Sequence, residues 1–163
     1  MPSDTLAALA ILVGARLRAK AMTLATAESC TGGWVAQAVT AIGGSSEWFE
    51  RGFVTYSDAA KREMLEVSAR TLAAHGAVSE QTACEMAAGA LTHSRAQVAV
   101  AITGIAGPTG GSPEKPLGMV CFAWAARDRA PNAETRYFEG DRESVRRQAV
   151  IAALQGILKL LEG

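Results

Sequence analysis

Gln97-Val98-Ala99-Val100-Ala101-Ile102-Thr103, followed at once by Gly104-Ile105-Ala106-Gly107-Pro108, is the stretch whose pattern sets the architecture. Its first seven residues are almost uninterruptedly apolar, as a strand is when helices cover both faces of its sheet. The strand therefore belongs at the centre of the sheet. The turn behind it opens a glycine- and proline-rich segment, 104–116, with no regular pattern. A loop of that length inside a compact domain is usually functional or disordered.

Two strand–turn–helix units precede it. The stretch 23–27 tolerates β structure, Gly32-Gly33 follow, and Trp34, Val35, Ala38, Val39 and Ile42 then recur at helical spacing until Gly43-Gly44. Phe53-Val54-Thr55-Tyr56 is β-branched and aromatic, and Ser57-Asp58 can cap a helix through Lys61, Met64 and Leu65. Ahead of both, 4–21 places Leu6, Leu9, Ala10, Val13 and Leu17 on one helical face behind Ser3, a good N-cap. Ser68 and Ser79 open two further helices; Gly76 ends the first, and Met86, Ala87, Ala90 and Leu91 are the buried stripe of the second. That region reads as structural. On the other side, 118–127 and 135–138 read as strands joined around 128–132, and Asp141 caps a last helix reaching Leu161. This order predicts one domain over residues 1–163, a three-layer α/β/α sandwich on a mixed, mostly parallel sheet. Ligands are expected at the strand C-terminal ends.

Composition narrows the function. With 163 residues, 49% of them hydrophobic, the chain can bury an ordinary core without disulfide or metal staples. Lysine plus arginine and aspartate plus glutamate number 16 each, which argues against a nucleic-acid partner. Cys30, Cys84 and Cys121 form no CxxC pair, His75 and His93 complete no metal-ligand spacing, and the first residues lack the order of a signal peptide. A cytoplasmic location is expected. No apolar run reaches the roughly 18 to 20 residues that span a bilayer, so no membrane partner is expected.

Chemistry concentrates in Ala27-Glu28-Ser29-Cys30-Thr31-Gly32-Gly33, a hydroxyl-rich turn between strand and helix whose N–H groups can face an anion or a developing oxyanion. Ser29 is the candidate nucleophile, although the commoner role of Ser29 or Thr31 in such a turn is to cap the following helix, and the two roles can coexist. Cys30, beside a helix N-terminus, is a rival nucleophile, ranked below because most cysteines are buried and inert. His75 and His93 fall at helix ends, which leaves Lys61 as the candidate base, since the positive end of a helix dipole favours its neutral amine. Tyr56, ending the preceding strand, could relay a proton in the same crevice. The opposing reading is a surface lysine and a half-buried aromatic. Thr103-Gly104-Ile105-Ala106-Gly107 offers a second set of N–H groups suited to phosphate or carbonyl oxygen, without the ending of a P-loop. Arg142, Arg146 and Arg147 bring charge to the start of the last helix; Arg146 and Arg147 are the candidates to pair with a phosphate, a solvated face being the alternative. A non-catalytic nucleotide-binding module is the rival from another class, and phosphoryl transfer is disfavoured because no pair of magnesium-binding carboxylates is evident.

The turn 27–33, Gly52-Phe53-Val54-Thr55-Tyr56-Ser57 with Lys61, Gly76-Ala77-Val78-Ser79-Glu80, Thr103–Pro108 and Lys115-Pro116-Leu117-Gly118, in that order, resemble the C-terminal domain of the competence/damage-inducible CinA proteins. The resemblance implies hydrolysis of nicotinamide mononucleotide to nicotinate mononucleotide and ammonia, with the family's serine, tyrosine and lysine falling on Ser29, Tyr56 and Lys61. It implies a homo-oligomer, and a serine–lysine mechanism requires no metal or organic cofactor. Trp34, Trp48 and Phe49 are candidates for an exposed apolar contact, with burial as the alternative.

Overall fold

The computed structural model of the chain describes residues 5–162. The N-cap expected at Ser3 lies outside them. Helix α1 spans Thr5–Ala19, strand β1 Leu24–Glu28, α2 Trp34–Thr40, β2 Phe49–Val54, α3 Asp58–Leu65, α4 Ala69–His75, α5 Glu80–Thr92, β3 Val98–Gly104, β4 Met119–Ala126, β5 Arg129–Tyr137 and α6 Arg142–Glu162. The sheet order is β2-β1-β3-β4-β5. β1 pairs parallel with β2 and β3, whereas β4 runs antiparallel to β3 and β5, so β4 is reversed against the other four. β3 sits in the middle, as its apolar run requires.

Alternation along the three inner strands sorts the two faces by size. Leu24, Val98, Val100, Ile102, Val120, Phe122 and Trp124 point to the layer of α1, α2 and α6. Ala25, Ala27, Ala99, Ala101, Ala123 and Ala125 point to α5. Small side chains let α5 lie close on the sheet, and α3 in turn lies against α5. At Gly89 of α5 any Cβ would overlap the Leu65 carbonyl, so glycine is required where α3 ends. Leu65 is one helical turn beyond Lys61, and this contact fixes the helix that carries the lysine.

The helix starts obey the local rules. Ser57, Ser68 and Ser79 each accept a hydrogen bond from the N–H three residues on, and Asp141 does the same for Ser144. Three boundaries differ from the sequence reading. β2 begins at Phe49, not Phe53, because an edge strand with residues such as Arg51 and Gly52 exposed carries no apolar alternation. Its end falls at Val54, leaving Tyr56 in the loop beyond. β4 and β5 form a tight hairpin about Arg127-Asp128, not the broad connection expected over 128–132, because the other edge strand is polar and includes Pro131. Trp48 is 1% exposed, packed against Gly14, and Trp34 and Phe49 are partly buried, so the burial alternative describes these aromatics. Among the described residues no helix is long and apolar enough to cross a membrane.

Candidate active site

Three parallel strands deliver the site. Ser29 follows β1, Thr55 and Tyr56 follow β2, and Gly104 ends β3, all at the C-terminal edge of the sheet. The turn after β1 is shaped by Glu28, which is 1% exposed. Its carboxylate accepts from the Thr31 hydroxyl at 2.6 Å and from the N–H groups of Gly33, Val35 and Ala36 at 3.0–3.1 Å. The first-turn donors of α2 are thus saturated by a buried anion, a favourable charge for a helix N-terminus. This corrects the expectation that Ser29 or Thr31 caps α2, and that these donors face a ligand. Gly32 and Gly33 adopt φ of 60° and 104°, where a side chain would be strained. The Gly32 N–H is spent on the Ser29 carbonyl.

With capping left to Glu28, the Ser29 hydroxyl is free to meet Lys61, whose Nζ lies 2.9 Å from Ser29 Oγ. Lys61 is 1% exposed, and its Nζ also lies 2.8 Å from the Thr55 carbonyl and 3.3 Å from that of Tyr56. A neutral amine has two N–H bonds and one lone pair. The two carbonyls can take the N–H bonds, which turns the lone pair to the serine hydroxyl. Burial lowers the Lys61 pKa from its ordinary value against the opposing pull of Asp58, so desolvation does more of this than the helix position from which it was anticipated.

The pair opens on a cleft of about 270 Å³, whose lining includes Ser29, Cys30, Tyr56, Lys61 and Thr103. Gly104, Ile105, Ala106 and Gly107 form one wall, Ala77 and Val78 another, and Arg142 stands at the mouth. A Cβ on Gly104 would meet Val120, the Met119 carbonyl and Cys30 Sγ within 3.1 Å, so close strand packing demands glycine there. Thr103 is 1% exposed and donates to the Ala77 carbonyl. Tyr56 is 60% exposed, and its hydroxyl accepts from Arg142 Nη2 at 3.0 Å.

Several residues expected to bind substrate have other duties. Glu28, Thr31, Gly32 and Gly33 lie behind the cleft, within the turn. Arg146 donates to the carbonyls of Cys30 and Thr31, with its guanidinium 5.7 Å from the Trp34 ring centroid, and so braces the turn from outside. Arg147 is not part of the lining. Arg142, one helical turn earlier than Arg146, is the arginine at the cleft, and Nη1 also donates to the Gly107 carbonyl. Its position right after the Asp141 cap was the signal for it. Ala77 and Val78 stood in a segment read as structural, and small apolar residues carry no chemical signature. Burial pushes the Cys30 thiol up to about 12, which removes it as a competing nucleophile at neutral pH.

A serine hydroxyl paired with a buried amine, over a cleft at the strand ends of an α/β/α sandwich, is the layout of a serine hydrolase with an amine as base. The chain belongs to the CinA C-terminal domain family, whose model matches residues 6–161. It is 56% identical over 155 residues to nicotinamide-nucleotide amidohydrolase PncC of Escherichia coli (strain K12), covering 95% of this chain and 94% of that protein. It is 50% identical over 157 residues to PncC of Pseudomonas putida, covering 96% and 98%. Among solved structures, the competence/damage inducible protein CihA from Agrobacterium tumefaciens superposes with a TM-score of 0.94 at 46% identity, covering 98% of this chain and 97% of that one.

Proposed function

We propose that this chain is a nicotinamide-nucleotide amidohydrolase, acting as one cytoplasmic domain over residues 1–163 on nicotinamide mononucleotide. The observation that carries the mechanism is the 2.9 Å approach of Lys61 Nζ to Ser29 Oγ inside a lined cleft. Neutral Lys61 takes the Ser29 proton as the oxygen attacks the carboxamide carbon. The N–H group of Cys30, next to Ser29 on the cleft lining, is the proposed oxyanion donor. Protonated Lys61 then returns the proton to the departing nitrogen, releasing ammonia and leaving an acyl ester on Ser29. Water attacks the ester, Lys61 accepts its proton, and Ser29 recovers it as nicotinate mononucleotide leaves. Tyr56, tied to Arg142, borders the path of the leaving group. The exposed Ile11 and Leu12 of α1 offer a surface for the homo-oligomer, which sedimentation would detect.

Ammonia release from nicotinamide mononucleotide with excess chelator present tests the reading directly. Release supports it, whereas binding without release would identify a nucleotide-binding module.

Arg142 is the cation placed to meet the substrate phosphate. Arg142→Ala is expected to raise KM for the nucleotide by about tenfold or more, the worth of a charge-assisted hydrogen bond, with much less effect on the riboside. Equal KM changes for both substrates would remove the phosphate role.

The rate should also follow the ionisation of Lys61. Only the neutral amine accepts the serine proton, so kcat/KM is expected to rise with pH through a pKa below the ordinary lysine range. Asp58 favours the ammonium, so Asp58→Asn lowers that pKa further and moves the rising limb to lower pH. Stability has the same sign: the fold disfavours the ammonium, and this penalty is complete below the folded-state pKa and relieved as pH rises toward the unfolded value. A limb unmoved by Asp58→Asn would count against Lys61 as the base.

A further inference from the structure

The segment 105–118 between β3 and β4 is fastened at its neck, where the Ile105 N–H donates to the Met119 carbonyl and the Gly118 N–H to the Ile105 carbonyl. It is held again at Gly107 by Arg142. Beyond Gly107 the chain is exposed from 108 to 114 and at 116–117; Lys115 between them is half-buried. A small turn presents it: the Ser112 N–H donates to the Lys115 carbonyl at 2.8 Å, and the Lys115 N–H to Ser112 Oγ at 3.1 Å.

The Lys115 ammonium donates to the carbonyl of His75, the last residue of α4, where the helix dipole favours a cation. A Cβ on Gly76 would lie 2.8 Å from Lys115 Nζ, so the lysine sits directly over the Gly76 backbone. The next two residues, Ala77 and Val78, form a wall of the cleft. That wall is itself anchored, with the Gly76 carbonyl accepting from Thr82 and the Ala77 carbonyl from Thr103. The facing wall, with Ile105, Ala106, Gly107, Thr109 and Gly110, belongs to the fastened segment. Lys115 thus joins the two walls at a point outside the cleft.

We propose that Lys115 is a positioning residue, setting the spacing of the two walls and with it the affinity for substrate while leaving the Ser29–Lys61 chemistry unchanged. This rests on the hydrolase reading. Lys115→Met keeps the aliphatic stem and removes the ammonium. It is expected to raise KM for nicotinamide mononucleotide by about tenfold, the scale of one hydrogen bond to a charged group, with kcat within about twofold. Lys115→Arg should restore KM. In the same variants of the full chain, amide hydrogen exchange over 108–114 should quicken in Lys115→Met and not in Lys115→Arg, while α5 keeps its protection. Absence of ammonia release by the unmodified protein would overturn the hydrolase reading, and exchange would still report on the fastening. Unchanged KM and exchange in Lys115→Met overturn the proposal, as does a defect that falls on kcat or that arginine fails to repair.

Discussion

Lys61→Met is expected to lower kcat for ammonia release by about 1000-fold or more, the scale seen when one member of a nucleophile–base unit is lost. Methionine fills the buried volume but cannot accept the Ser29 proton. Ser29→Ala should fall to the same floor, and the double variant should be no worse, because the two residues act as a unit. Cys30→Ala provides the contrast: a thiol pushed up to about 12 carries almost no thiolate at neutral pH, so its removal should leave most of the activity. Each variant needs an unchanged circular dichroism spectrum to make the comparison valid. Independent, multiplying losses in the double variant would show that Ser29 and Lys61 do not share one step.

Much of this arrangement is legible in the chain because it rests on local physics. An apolar run such as 97–103 has few places to go other than the middle of a covered sheet, and serines at 57, 68 and 79 mark helix starts through bonds to nearby N–H groups. Ser29 and Lys61 could be proposed together because each follows a strand, and parallel neighbouring strands bring their C-terminal ends to one edge. The edge strands were harder, since their registry depends on partners across the sheet more than on their own alternation. On sequence, Arg146 and Arg147 are the candidates ahead of Arg142, yet Arg142 and Arg146 share a helical face one turn apart, and spacing alone does not separate them. The turn after β1 decides which of them reaches the cleft and which is drawn to the carbonyls of Cys30 and Thr31.

Glu28 is the residue whose duty was least visible, since a carboxylate ahead of a serine, threonine and two glycines can be read as a ligand group. Glu28→Ala is expected to destabilise the protein by about 3 kcal/mol or more, measured by chemical denaturation. It removes the acceptor for the Thr31 hydroxyl and for three N–H groups, that of Gly33 and those of Val35 and Ala36 in α2, and each buried donor left unsatisfied costs about 1–3 kcal/mol before relaxation or water recovers part of it. Glu28→Gln should fall between alanine and the native residue. An amide oxygen in place of Oε1 can still accept from Thr31, Gly33 and Val35, but its NH2 group would then face the Ala36 N–H, donor against donor. The functional consequence follows from the turn's geometry. Ser29 is the next residue in the chain, and the proposed oxyanion donor at Cys30 holds its place only while Glu28 gathers the start of α2. Even where Glu28→Gln remains fully folded, kcat should therefore drop by more than KM rises, because oxyanion donors act mainly in the transition state. A folded Glu28→Gln with native kcat would mean that the turn keeps its shape without the charge, and that the glycines and Arg146 suffice to hold it.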